Sequence, residues 1–194
     1  MDFFNQLHTA LEPSLKNLRK SLSTKDQLLL FYYRLKTAAT LNTVCVIFGI
    51  SERTASEAFC DVLDIVYDYS KKRITWLTKE ENKALMPDSF RATYPECRII
   101  IDASETKIEK PTEVDRSIKC YSQYKSGYTL KYLVGIAPCG LICFVSKTYG
   151  GRITDGQLTA ACGIIDKLEP GDMVMSDKGI FIYNQKLHFT LQKF

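Results

Sequence analysis

The sequence is 194 residues long, enough for one medium domain or for a small domain joined to part of a larger one. Hydrophobic residues make up 45% and charged residues 25%, a balance that supports a packed core and excludes wholesale disorder. The net charge of +4 is mild (12 Lys/Arg against 11 Asp/Glu in residues 1–90, 14 against 11 in 91–194), so charge allows a nucleic-acid binder only where cations cluster.

Residues 1–23 read as one or two short helices interrupted at Pro13. Thr24 and Gln27 have capping-box spacing, and Leu28, Leu29, Phe31, Tyr32 and Leu35 then recur at helical intervals. Ala55, Ala58, Phe59, Val62, Leu63 and Val66 trace one apolar face of a long helix, which Ser51 is placed to cap. With Leu41 as its first position, a helix-turn-helix fits this stretch. Gly49 falls at the turn, where positive φ suits glycine, and Val44, Phe48, Ile50, Ala55 and Ala58 fall on buried positions.

The second helix of that motif would present Glu52, Arg53, Ser56 and Glu57 on its outer face, the face that enters the major groove in a DNA reader. Glu52, Glu57 and Asp61 oppose phosphate there. Lys71, Lys72 and Arg73 follow the helix and are placed to grip a backbone, or form a solvated charge run. A helical hairpin that only packs is the alternative reading.

Residues 74–97, with Pro87 and Pro95, read as a linker, helical around Lys79–Leu85. The period then becomes extended. Arg98–Asp102 reads as a buried strand continuing toward Ile108, and Tyr128–Ala137 with Leu141–Thr148 as a hairpin around Pro138-Cys139-Gly140. Thr154–Leu168 reads as a helix with Asp155 in its first turn, and Asp172–Asp177 as a second short strand ending in an acid. The expected layout is α+β: a helical region over 1–73 with the helix-turn-helix at about 24–70, a linker over 74–97, and a mixed domain over 98–194.

Seven cysteines, with no CxxC pair, mostly sit in apolar stretches and read as reduced core thiols. The N-terminus has no cationic signal-peptide region, and no apolar run is long enough to span a bilayer. An intracellular, nuclear protein without a membrane partner is expected.

Asp102 and Asp177 each end an apolar strand. Two such acids on adjacent parallel strands repel unless a hard cation lies between them, although Asp at a strand end is also a common turn residue. The words around them add more. Ile101-Asp102-Ala103-Ser104-Glu105, Ile108-Glu109-Lys110-Pro111, Tyr121-Ser122-Gln123-Tyr124-Lys125 and Lys131-Tyr132-Leu133-Val134-Gly135-Ile136 follow one another in the chain. Gly150-Gly151-Arg152-Ile153-Thr154-Asp155, Leu168-Glu169-Pro170-Gly171-Asp172 and Ser176-Asp177-Lys178-Gly179 complete the series.

This string resembles the DDE superfamily endonuclease domain of Harbinger-like transposases, and Leu22–Tyr69 resembles the helix-turn-helix that commonly precedes it. The resemblance covers about residues 22–185. It implies an RNase H-like fold and cleavage and transfer of DNA strands, at transposon ends, with Mg²⁺ or Mn²⁺. Asp102 is implied as the first catalytic and metal-binding acid and Asp177 as the second. Asp155 is implied as a capping or supporting residue, and Lys125 and Lys131 as candidate phosphate contacts. Glu105 would share the Asp102 face only on a bulged strand and is left out of the acid set. Homo-oligomers or an accessory DNA-binding protein are also implied as partners.

The family pattern needs a third Asp or Glu on a later helix, and residues 178–194 contain neither. The expectation is an incomplete RNase H-like domain, inactive alone, with an open sheet edge near Asp172–Asp177. The alternative is a domesticated or vestigial DNA-binding module without catalysis. A fragment, a domesticated protein and a decayed copy all fit the sequence.

Overall fold

The structure, a computed structural model, describes residues 3–16, 18, 21–176 and the backbone of 190–193. The chain divides into two compact units, residues 1–73 and 74–194.

The first unit is helical: α1 (Phe3–Leu15), α2 (Thr24–Thr37), α3 (Leu41–Phe48) and α4 (Glu52–Lys71). Pro13 does not split α1, which runs on past it to Leu15. The cap of α2 differs from the Thr24/Gln27 expectation. Ser23 is the N-cap: its Oγ accepts from the Asp26 backbone N–H at 3.1 Å and donates to Asp26 Oδ2 at 2.6 Å. Gln27 instead turns into the core, donating from Nε2 to the Leu22 carbonyl at 3.1 Å, and Thr24 Oγ1 meets His8 Nε2 of α1 at 2.8 Å.

Two apolar clusters hold this unit together. Leu7, Leu11 and Leu15 pack with Leu28, Phe31 and Val62, while Leu22 and Leu30 pack with Val44, Ala55 and Ala58. Phe59 bridges both clusters. Leu29, Leu35 and Leu63, expected on the apolar faces, are instead about half exposed. On α4 the inward set continues as Ile65, Val66 and Tyr69, which keeps an alternating three–four spacing that Leu63 breaks. Gly49 adopts φ 64° after α3, and Ile50 donates back to the Cys45 carbonyl at 3.2 Å; Ser51 then caps α4 through the Thr54 N–H at 3.2 Å.

The second unit begins with the segment expected as a linker, which packs on the sheet that follows. Here α5 (Lys79–Leu85) is held by a Thr78/Glu81 capping box, and α6 (Asp88–Thr93) follows it. Met86, Phe90 and Tyr94 lie against Cys97, Ile100 and Met175, and Asn82 Nδ2 donates to the Cys97 carbonyl at 2.9 Å.

The strands are β1 (Cys97–Lys107), β2 (Tyr121–Ser122), β3 (Gly127–Ile136), β4 (Ile142–Val145), β5 (Tyr149–Gly150), β6 (Met173–Ser176) and β7 (Thr190–Lys193). They form one sheet in the order β2-β3-β1-β6-β7, with β4 and β5 also pairing with β3. β1 is antiparallel to β3 and parallel to β6, which is parallel to β7. Helices α7 (Val114–Cys120) and α8 (Asp155–Ala161) complete the unit.

This α+β layout is consistent with a helix-turn-helix module followed by an RNase H-like domain. The open edge expected at β6 is occupied, because β7 pairs along Met173–Ser176. The helix expected over 154–168 is shorter: α8 ends before Gly163, which adopts φ 80°, and only a 3-10 turn over 165–167 follows. One face of the sheet buries Ile99, Ile101, Leu133 and Val174 against Leu158, Ile164 and Leu168. No helix among the described residues is long and apolar enough to cross a membrane.

Candidate active site

Strand β1 pairs with β3 in unbroken register from Ile100 to Lys107, so its side chains alternate strictly between the two faces. Ile99, Ile101 and Glu105 share the inner face with Leu133 and Lys131. Asp102 falls on the other face and is exposed, with its backbone set by a buried neighbour, Ile101. No bulge brings Glu105 round to Asp102. On the other side of β1, Ser176 is paired in parallel with Ile101. Asp177 follows Ser176 in sequence and lies outside the described residues, as Asp102 follows Ile101.

Beneath Asp102 lies a buried charge network. Glu105 and Lys131 are direct cross-strand partners, with Oε1 to Nζ at 3.0 Å and side chains 6% and 10% exposed. Lys131 Nζ also donates to Asp155 Oδ1 at 3.1 Å and to the Ile153 carbonyl at 3.0 Å. Three donors therefore meet three acceptors, and none remains for a DNA phosphate. Lys131 is thus bonded within the protein, to two carboxylates and a carbonyl.

Burial works to raise the Glu105 pKa, but hydrogen bonds from Ser122, Lys131 and Thr129 outweigh it and hold the carboxyl below its usual value. Burial likewise works to lower the Lys131 pKa, and its two carboxylate partners raise it overall.

Asp155 lies in the first turn of α8, but the cap is Thr154, in a reciprocal box with Gln157. Asp155 instead joins α8 to β3 through Lys131. The glycines before it are sterically required: a Cβ on Gly150 would lie 2.3 Å from the Lys119 carbonyl oxygen, and one on Gly151 would lie 1.8 Å from Thr129 Oγ1. The Gly-Gly word thus lets the 149–155 segment press against β3 and the end of α7.

These elements enclose an open cleft of about 1010 Å³, with Asp102, Ser104 and Glu105 at one side and Arg152–Asp155 at the other. Tyr121, Gln123, Tyr124 and Lys125 of the β2–β3 hairpin also line it. Lys125 lies with Nζ 4.6 Å from the centre of the Tyr124 ring. Sequence reasoning singled out Lys125 but passed over Arg152 and Tyr124. Arg152 stands in a word quoted for its glycines, and nothing in the sequence separates Tyr124 from its neighbours Tyr121 and Tyr128, which pack on each other.

Among the described residues, no cluster of three His, Cys, Asp or Glu side chains could hold a metal ion. Glu105 and Asp155 are already committed to Lys131. Asp102 has no ion-pair partner among the described residues. A hard divalent cation takes oxygen ligands, and an exposed carboxylate at a cleft rim suits one.

In the helical unit, the residues expected on a DNA-reading face are solvent-facing but partly engaged. Arg53 Nε pairs with Glu57 Oε1 at 2.9 Å, and Ser56 is half-buried. Lys71 pairs with Asp68, Arg73 stacks 3.3 Å over Tyr69, and Lys72 is exposed. The cysteine expectation holds for Cys97, Cys120 and Cys143, which are buried, whereas Cys60 is exposed.

Residues 20–72 match the family described as helix-turn-helix of DDE superfamily endonuclease, and residues 101–193 match the DDE superfamily endonuclease family itself. Together they support a DDE superfamily endonuclease with a preceding helix-turn-helix. No curated protein and no solved structure matches the chain. The endonuclease match begins at Ile101, one residue before Asp102, and spans the cleft and the charge network. The helix-turn-helix match covers α2 to α4. A transposase/nuclease-type protein is thereby supported, with DNA as the partner that both segments suggest.

Proposed function

We propose that Asp102 and Asp177 jointly bind Mg²⁺ or Mn²⁺ at the edge of the cleft, and that the endonuclease segment serves cleavage and transfer of DNA strands. One observation carries the reading: Ser176 and Ile101, the residues before the two acids, are register partners on parallel strands. Parallel neighbours that continue into carboxylates supply two hard oxygen donors at one sheet edge. When bound, the cation would activate a water or a 3′-hydroxyl and stabilise the leaving oxygen.

The chain's own residues do the positioning. Ile101 anchors the backbone of Asp102 in the core. Lys131 keeps Glu105 and Asp155 occupied, so that neither competes for the cation, and ties α8 to the sheet. Arg152 and Lys125 provide cationic contacts for the strand in the cleft. Harbinger-like affiliation, work in the nucleus on transposon ends, and assembly into multimers or with an accessory DNA-binding protein belong to the same proposal and rest on the resemblance.

Replacing Mg²⁺ by Fe²⁺ with ascorbate and peroxide should cut the polypeptide near residues 102 and 177, where radicals form at the ion. Cuts confined to other segments would contradict the joint site.

A second reading is a helix-turn-helix binding module without catalysis. It is favoured by the self-contained apolar clusters of residues 1–73. Chain scission at neither acid would favour it.

A further inference from the structure

We propose that Tyr124, with Lys125 beside it, is a stacking platform for an unpaired base of the DNA strand that occupies the cleft. The inference rests on the reading of the cleft as a DNA site and adds what that site selects. Tyr124 is 83% exposed, at the turn between β2 and β3, on the wall of the same cleft that Asp102 lines.

The ring does not sit on a loose loop. The Lys125 N–H donates to Ser122 Oγ at 3.3 Å, and the Ser126 N–H donates to the Gln123 carbonyl at 3.3 Å. Ser126 closes the turn at φ 49°. Ser122 is buried and hydrogen-bonded to Glu105, so the hairpin is tied to the charge network under the site. At its base, Tyr121 packs edge-on against Tyr128, with ring centres 5.5 Å apart.

A rigid turn therefore holds an aromatic ring in water, with an ammonium 4.6 Å from its centre. An exposed ring gains from burial against another flat apolar surface. Inside a duplex, both faces of each base are already stacked, so only an unpaired or splayed base can take the position. The lysine adds attraction for the adjoining phosphate, and Arg152 across the cleft adds another. Aromatic rings with interleaved cations are the chemistry that binds single strands without reading sequence.

The test uses the full chain without divalent metal, so that the metal reading and this one fail separately. Binding is measured to a flush duplex and to the same duplex ending in unpaired bases, with 2-aminopurine as the terminal base. Tyr124→Ala should weaken binding to the unpaired end about tenfold and abolish 2-aminopurine quenching, while leaving the flush duplex unchanged. Tyr124→Phe, which keeps the ring, should behave as the parent. Equal affinity of parent and Tyr124→Ala for the unpaired end would overturn the proposal. So would equal losses on both DNAs, or a parent chain that does not prefer the unpaired end.

Discussion

Lys131 shows how much can hang on one side chain. Its ammonium is the common partner of Glu105, Asp155 and the Ile153 carbonyl, at the floor of the cleft, where the Lys131 and Glu105 side chains are themselves largely covered. Lys131→Met would keep the packing and leave the Glu105 carboxylate buried without its cation. The expected cost is about 3–5 kcal/mol at neutral pH, read as a lower urea midpoint, with partial recovery on adding Glu105→Gln. The Glu105 carboxyl titrates lower in the folded chain than in the unfolded one. Its contribution is therefore present above the unfolded glutamate pKa of about 4.3 and is lost as the pH falls through the lower folded value. The gap in stability between parent and Lys131→Met should close on acidification. A gap that persists at low pH would argue against the ion pair as its source.

The strand faces of Asp102 and Glu105 were separable in the sequence, because strand alternation puts residues three apart on opposite sides. Lys131 was not assignable in the same way. Its partner lies on the neighbouring strand β1 and a second carboxylate arrives from α8, and no local pattern records either contact.

Among the elements, the α3–turn–α4 motif was legible because its signals are local. Glycine at a left-handed position, a serine at the next helix start and small residues at the crossing all lie within a few positions of one another. Ser51→Ala removes the acceptor for the Thr54 N–H and should cost about 0.5–2 kcal/mol, measured as a lower thermal midpoint of the helical unit. An unchanged midpoint would mean that water replaces the cap at no cost.

The α2 cap was misplaced by one residue because Ser23 and Thr24 both suit the role, and only the burial of Gln27 decides between them. The end of α8 was overestimated because apolar spacing continues through Ile164, Ile165 and Leu168. Those residues do reach the core or its border, but from a loop and a 3-10 turn rather than from the same helix. Periodicity reports which residues turn inward, and a left-handed glycine such as Gly163 decides whether the backbone remains helical while they do.

At the scale of the whole molecule, each of the two units has its own core, and the family matches fall one on each. The order β1, β3, β4, α8, β6 was readable from changes in period, whereas the short elements α6, α7, β2 and β5 were not. That β7 covers the far side of β6 was not, because its four residues carry neither alternation nor a turn signal. Asp102 was legible as the acid that closes an apolar run, although β1 carries it in mid-strand, on the face opposite Glu105; Asp177 lies outside the described residues.

The proposed function stands on Asp102 and Asp177 sharing one divalent cation. Calorimetric titration of the chain with Mn²⁺, alongside Asp102→Ala and Asp177→Ala, tests it most directly. A shared site gives saturable binding by the parent that is lost in each variant. Binding that survives either substitution, or a parent that binds no Mn²⁺, would contradict it.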